Sequence, residues 1–235
     1  MTFSHFMFFR SGTPGALLSM ADAARVKEIV AGTPGLKAAF FYTPTAVRDY
    51  YTDDGPSPHL ALQLYFDELS VLEENIASKG HLQQLAPPAG WESLPNLDVE
   101  HQVMHVRPFP IPEKAREAAP GATQCTYLVH YPGVAENFNE WLGYYLRHHP
   151  QIMFRFEGVR AIEIFTRVDW CDEMPWTRVH HMQRNLQRFD TRTALEAVLQ
   201  SPIRHEMRAD FEKFPPFTGS NIHFPMITER LTPQA

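Results

Sequence analysis

The chain has 235 residues, enough for one large domain or two small ones. Its 21 Lys and Arg against 27 Asp and Glu leave a net charge of -6, which argues against a nucleic-acid partner, since that role usually needs a basic patch. No apolar run reaches the ~18 residues of a membrane span; the N-terminal MTFSHFMFFR is too short for a signal peptide and lacks its basic start. The two cysteines, Cys125 and Cys171, fall in different elements and suggest neither a disulfide framework nor a zinc knuckle. A soluble cytoplasmic protein is the expectation.

Taken in chain order, the periodicities predict a strand over residues 4–10. A helix over 19–31 follows, with Ser19 as N-cap and Ala23, Val26, Ile29 and Val30 at helical spacing. Thr33-Pro34-Gly35 ends it. Strands are predicted at 36–43 and 59–66, the second with Leu60, Leu62, Leu64 and Phe66 on one face. Asp67 is the expected cap of a helix to about Ser78. After a loop holding Pro87, Pro88 and Pro95, a strand at 100–107 closes a first unit, residues 1–108. Residues 109–122, rich in Pro and Ala, read as a linker.

The second unit, residues 123–235, repeats the order. A strand at 124–131 meets a turn at Pro132-Gly133. A helix over 135–149 follows, whose buried stripe is Phe138, Trp141, Leu142, Tyr145 and Leu146. Strands at 159–167 and 179–188, a helix capped by Asp190 and covering 195–199, and a strand at 221–226 complete it.

The two units match without a gap at an offset of 123 residues: Gly35 with Gly158, Ala38 with Ala161, Thr43 with Thr166, Phe66 with Phe189, Asp67 with Asp190, Leu72 with Leu195. An internal repeat decides the fold before any other signal. The pattern βαββαβ, done twice, predicts an α+β chain of two ferredoxin-like repeats. Each four-stranded sheet is covered by helices on one face, and the bare face must be buried. Two such sheets packed bare face to bare face form an α+β barrel, here within one chain.

The stretch Phe189-Asp190…Leu195-Glu196-Ala197-Val198-Leu199-Gln200-Ser201-Pro202, running to Asp210 and Phe214, resembles the second-helix signature of EthD-like proteins, of the dimeric α+β barrel superfamily. Phe66-Asp67-Glu68-Leu69 through Ser78 resembles the same signature. Thr33-Pro34-Gly35-Leu36 and Glu157-Gly158-Val159 resemble the family's entry to its second strand. Pro132-Gly133 with Phe138 and Trp141 is similar to its Pro-Gly…Phe…Trp helix, and His148-His149-Pro150 to its His-x-Pro, with His148 at the histidine position. The first unit has Arg25-Val26-Lys27 there, so the signature occurs once. The resemblance implies a degradative enzyme or accessory protein acting on a small molecule.

Several residues could carry chemistry. His148 and His149 end the predicted helix, where they either cap its carbonyls or reach the barrel mouth as general base and substrate ligand. In the strand at 159–167, Ile162 and Ile164 fit the helix-covered face. That turns Ala161, Glu163, Phe165 and Arg167 into the barrel. There Glu163 would be a carboxylate of raised pKa, fit for acid or base work, or the partner of Arg160 or Arg167. The strand at 179–188 puts His181, Gln183, Asn185 and Gln187 on one face, where the first unit has Leu60, Leu62 and Leu64. Either this is a polar lumen that recognises substrate, together with His130 and Phe165, or it is a solvent-facing edge or a register slip near Trp170–Trp176. No metal site is expected, since His101 and His105 lie roughly 13 Å apart along a strand; no cofactor is called for, and haem, needing one axial histidine, is left open by spacing.

The reading is an enzyme of small-molecule catabolism that binds a hydrophobic, ring-containing compound in the barrel. It would run isomerase, lyase or cofactor-free oxygenase chemistry with His148 and Glu163 as acid and base. The second reading is a non-catalytic binding or accessory protein. The two differ in whether ionisable groups converge on one cavity. The principal site is expected in the second unit. No nucleic acid or membrane partner is expected, and a homodimer is left open.

Overall fold

The computed structural model describes residues 1–13, 15–87, 91–111 and 123–234. Most of the expected linker, 112–122, and Pro88 of the Pro-rich loop lie outside these. In the first half the elements are β1 (Phe3–Ser11), α1 (Met20–Ala31), β2 (Ala38–Pro44), β3 (Leu60–Phe66), α2 (Leu69–Ile76), a 3-10 turn at His81–Leu85 and β4 (Leu97–Phe109). In the second they are β5 (Thr123–Tyr131), α3 (Phe138–Met153), β6 (Val159–Arg167), the two-residue β7 (Thr177–Arg178), β8 (Gln183–Phe189), α4 (Arg192–Leu199), α5 (Ile203–Phe211) and β9 (Ile222–Leu231).

Eight long strands run in the order β1-β3-β2-β9-β5-β8-β6-β4, and β4 pairs back onto β1, closing an antiparallel barrel. Closure leaves none of these strands with an unpaired edge. The joins between halves are β2 with β9 and β4 with β6. Strand alternation then sorts the side chains into two sets. Inside, Phe6, Phe8, Phe40, Phe165, Leu186 and Met226 fill the lumen. Outside, each half packs its own helices: Met7, Leu62, Phe66 and Leu72 belong to one core, Trp141, Ile162, Phe189 and Leu195 to the other. Phe66 and Phe189 are both fully buried.

Local signals hold at some ends and fail at others. Ser19 caps α1, its hydroxyl accepting from the Asp22 N–H at 3.1 Å. Gly35 and Gly158 take φ of 68° and 75° ahead of β2 and β6, a region that favours glycine. Asp67 and Asp190 are not caps. Asp67 accepts from Lys37 at 2.6–2.7 Å and Asp190 from Arg160 at 2.9 Å, so each ties the segment ahead of its helix to the start of β2 or β6. Thr191 caps α4 instead, accepting from the Ala194 N–H at 3.0 Å. The strand expected from residue 179 begins at Gln183, with His181 in the loop before it. Helix α3 passes through Pro150 to Met153; both are buried, and that packing outweighs the proline's missing N–H donor. No helix among the described residues is long and apolar enough to cross a membrane.

Candidate functional site

The two straps that join strand to strand in each half reach across to the other half. Residues 168–182 of the second half lie over the helix-covered face of the first, where Trp170 and Met174 join the core. Asp172 holds them down through His101, at 3.1 Å. His101 in turn meets His5 at 3.0 Å, a buried pair that the sequence reading did not foresee. Residues 45–59 of the first half lie over the second, where Val47 packs against the second core but polar contacts hold much of the strap. Arg204 of α5 donates from Nε to both carboxyl oxygens of Asp49, at 2.9 and 3.1 Å, and Tyr127 donates to Asp49 at 2.8 Å. Tyr50 donates to the Gln200 carbonyl at 2.8 Å. One strap plugs the face beneath it; the other leaves a cleft.

That cleft runs between the outer face of β5, β8 and β9 and helices α3 and α5. Its apolar walls include Val129, Met153, Phe156, Leu199, Met207 and Phe211. It is narrow, with about 40 Å³ open to the centre of a water molecule.

His149 forms part of the wall. Its Nδ1 lies 2.7 Å from an Asp210 carboxyl oxygen, and Tyr144 donates to the other oxygen at 3.1 Å. Burial holds the His149 imidazole below its usual pKa, and Asp210 only partly offsets this. Burial pushes the Asp210 carboxyl up, but the bonds from His149 and Tyr144 together outweigh it and hold it low. The pair is therefore a neutral imidazole donating Nδ1–H to a carboxylate, which leaves Nε2 as a proton acceptor. A second histidine on the cleft, His223, is oriented the same way. Its Nδ1 lies 2.7 Å from Asp54 of the strap, which also accepts from the His223 N–H at 2.8 Å.

The residues expected from sequence are distributed differently. His148 is exposed on the outer side of α3, its ring stacked on Tyr144 at 4.4 Å between centroids. Glu163 is inside the barrel, accepting from Tyr65, which Gln63 and Tyr42 back in a chain of 2.6 Å bonds. Burial raises its pKa, while Arg188 and Tyr65 pull the other way. Arg160 pairs with Asp190, and Arg167 lies over the Phe138 ring, so neither takes Glu163. The barrel wall thus separates His148 from Glu163. Phe165 and His130 face the lumen; His130 accepts from Arg184. His181 stands at the lumen mouth, 5.8 Å from His130, with burial lowering its pKa to about 3.

The phase of β8 is the main correction. Gln183, Asn185 and Gln187 turn outward under the helices, and Asn185 and Gln187 line the cleft. The lumen receives Arg184, Leu186 and Arg188 instead. His149 and Asn185 therefore share one cavity, which is outside the barrel. Asp210, Asp54 and Arg204 were not anticipated. A signal for His149 existed: Trp141, Tyr145 and His149 continue one stripe at four-residue spacing, whereas His148 is a step of about 100° off it.

No family model and no curated protein matches the sequence. Among solved structures, an anthrone oxidase-like protein superposes with a TM-score of 0.67 at 14% identity, over 98% of this chain and 93% of that one. A protein assigned as a monooxygenase, from Fusobacterium nucleatum, gives 0.57 at 9% identity over 98% and 93%. One assigned as a chlorite dismutase gives 0.50 at 15% identity over 98% and 94%. Identities this low speak to the fold alone. The chain shares with these solved structures its fold, an antiparallel barrel with helices packed outside, closed here inside a single chain.

Proposed function

We propose that this chain is a small-molecule enzyme working in the second-half cleft, with His149 as general base and Asp210 as its orienting carboxylate. The observation that carries this is the 2.7 Å His149–Asp210 bond at the wall of a narrow, largely apolar cleft. Desolvation keeps the imidazole neutral and so ready to accept a proton. The substrate is a flat, hydrophobic, ring-containing compound. Nε2 takes its proton, and the electron pair stays in the ring system or on a conjugated oxygen. Isomerisation, elimination and cofactor-free oxygenation all begin with that step. Solved neighbours of the same fold with names such as anthrone oxidase-like and monooxygenase support a catabolic enzyme over a bare scaffold.

With His148 and Glu163 apart, their pairing gives no grounds for catalysis, and on that ground alone a binding protein would be the better reading. The His149–Asp210 pair restores the acid–base one. The two halves read as copies of one βαββαβ unit of EthD-like type, and two matched features support this. The Lys37–Asp67 and Arg160–Asp190 pairs sit at the 123-residue offset, as do the left-handed Gly35 and Gly158.

A panel of hydroxylated and keto ring compounds, followed by mass spectrometry, tests the proposal. The expected result is conversion by the native protein that falls at least ~100-fold in His149→Gln, the low end for losing a general base. Equal conversion by both would overturn it.

A further inference from the structure

The floor of the cleft carries buried polar groups that lack hydrogen bonds of sound geometry within the protein. Asn185 is 2% exposed, and its Oδ1 accepts from Gln187 at 2.5 Å while its Nδ2 has no partner. The Tyr131 hydroxyl is fully buried; the Asn221 side chain is its polar neighbour, without a hydrogen bond of sound geometry between them. Asn185 and Tyr131 both line the cleft. Behind them Gln183 and the Tyr145 hydroxyl are also buried; Tyr145 has the Gln183 and Asn185 side chains as neighbours, but none of the three completes a hydrogen bond of sound geometry with another. A buried polar group left unpaired is destabilising, so its presence calls for an explanation. The first half supplies the contrast. At the matched strand positions it has Leu60, Leu62 and Leu64, all fully buried, beneath a strap that fills the space with Trp170 and Met174. The fold therefore accepts aliphatics at these positions, and the second half has amides where a cavity is.

Charge narrows the choice of ligand group. The floor is neutral. The two arginines of the cleft already have carboxylates, Arg204 with Asp49 and Arg208 with Glu212 at 2.9 Å. A ligand carboxylate reaching the floor would be desolvated with no cation to meet it. A hydroxyl or keto oxygen meets an amide N–H and a phenol without that penalty.

Resting on the cleft reading above, we infer that Asn185 and Tyr131 select the substrate by a neutral oxygen on its ring, a hydroxyl or ketone, and reject both the bare hydrocarbon and the acid. Sites built to hydrogen-bond a substrate oxygen discriminate strongly against analogues that lack it.

Three matched probes, toluene, p-cresol and 4-methylbenzoate, test this by NMR titration of the intact protein. The expected result is p-cresol binding at least ~10-fold tighter than either of the others, within the range for satisfying a buried polar group. Asn185→Leu, which copies the residue of the first half, should erase the preference for p-cresol over toluene while toluene still binds. Tyr131→Phe should narrow it and serves as the second variant should the first fold poorly. Equal affinity for toluene and p-cresol, or tightest binding of 4-methylbenzoate, would overturn the inference and leave the cleft as a ring site. Failure of all three probes to perturb the cleft would instead overturn the cleft reading itself, and this inference with it.

Discussion

His149 and Asp210 come from α3 and α5, 61 residues apart, and meet at 2.7 Å at the cleft wall. Asp210 favours the charged imidazole and burial disfavours it more strongly. Replacing Asp210 by Asn removes the favourable part only. The His149 pKa should then fall further below its native value, and the ring should lose its fixed Nδ1–H tautomer. Nitrogen-15 NMR of the histidines reads both, and a His149 pKa that stays put or rises in Asp210→Asn would show that the pair is not coupled.

Phe66 and Phe189 are fully buried in separate cores. Truncating either to Ala should cost ~3–5 kcal/mol, as buried aromatics do. Chemical denaturation measures this, and a loss under ~1 kcal/mol at either site would mean that its core tolerates the cavity.

Asp49 and Arg204 tie the strap to α5, with side chains 2% and 11% exposed. Asp49→Ala leaves a mostly buried guanidinium without its carboxylate and should cost ~3 kcal/mol. Adding Arg204→Met should recover much of that loss. A double variant no more stable than Asp49→Ala would mean that the pair holds the strap by more than charge compensation.

Five histidines, His5, His105, His130, His149 and His181, have pKa values lowered chiefly by burial. A lowered pKa means that the unfolded chain binds protons the folded one refuses. Stability is then intact above the unfolded value of about 6.5 and is lost as pH falls below it. The urea midpoint should drop steadily from pH 7 to pH 5. A flat midpoint across that window would mean that these rings are protonated in the folded state.

Much of the architecture was legible because it rests on two periodicities. Alternation along β6 put Ile162 and Ile164 under the helices and Glu163 inside, and the leucines of β3 marked the covered face of the first half. The site was less legible, for three physical reasons. In β8 both faces are polar, arginines inside and amides outside, so alternation had no apolar side to fix its phase. Pro150 normally stops a helix, which hid the last turn of α3 and set His148 and His149 at an apparent end. The helix expected over 195–199 was given no successor, yet Pro202 stands at the start of α5, which carries Arg204, Met207 and Asp210 at helical spacing.

Asn185→Leu also separates stability from function. Filling the floor as the first half does should leave the fold unharmed or raise its stability by about 1 kcal/mol, the usual gain from removing an unsatisfied polar group at a functional site. A thermal or urea melt reads this. A loss above ~2 kcal/mol would show that Asn185 is held for structural reasons.

The central claim is that the small-molecule site lies between the barrel wall and the helices of the second half. A complex with p-cresol, mapped by chemical shifts or by crystallography, tests it most directly. The account expects the ring between His149 and Asn185, with Met207 and Phe211 against its faces. A ligand lodged in the lumen beside Glu163, or in the first half under Trp170, would contradict it.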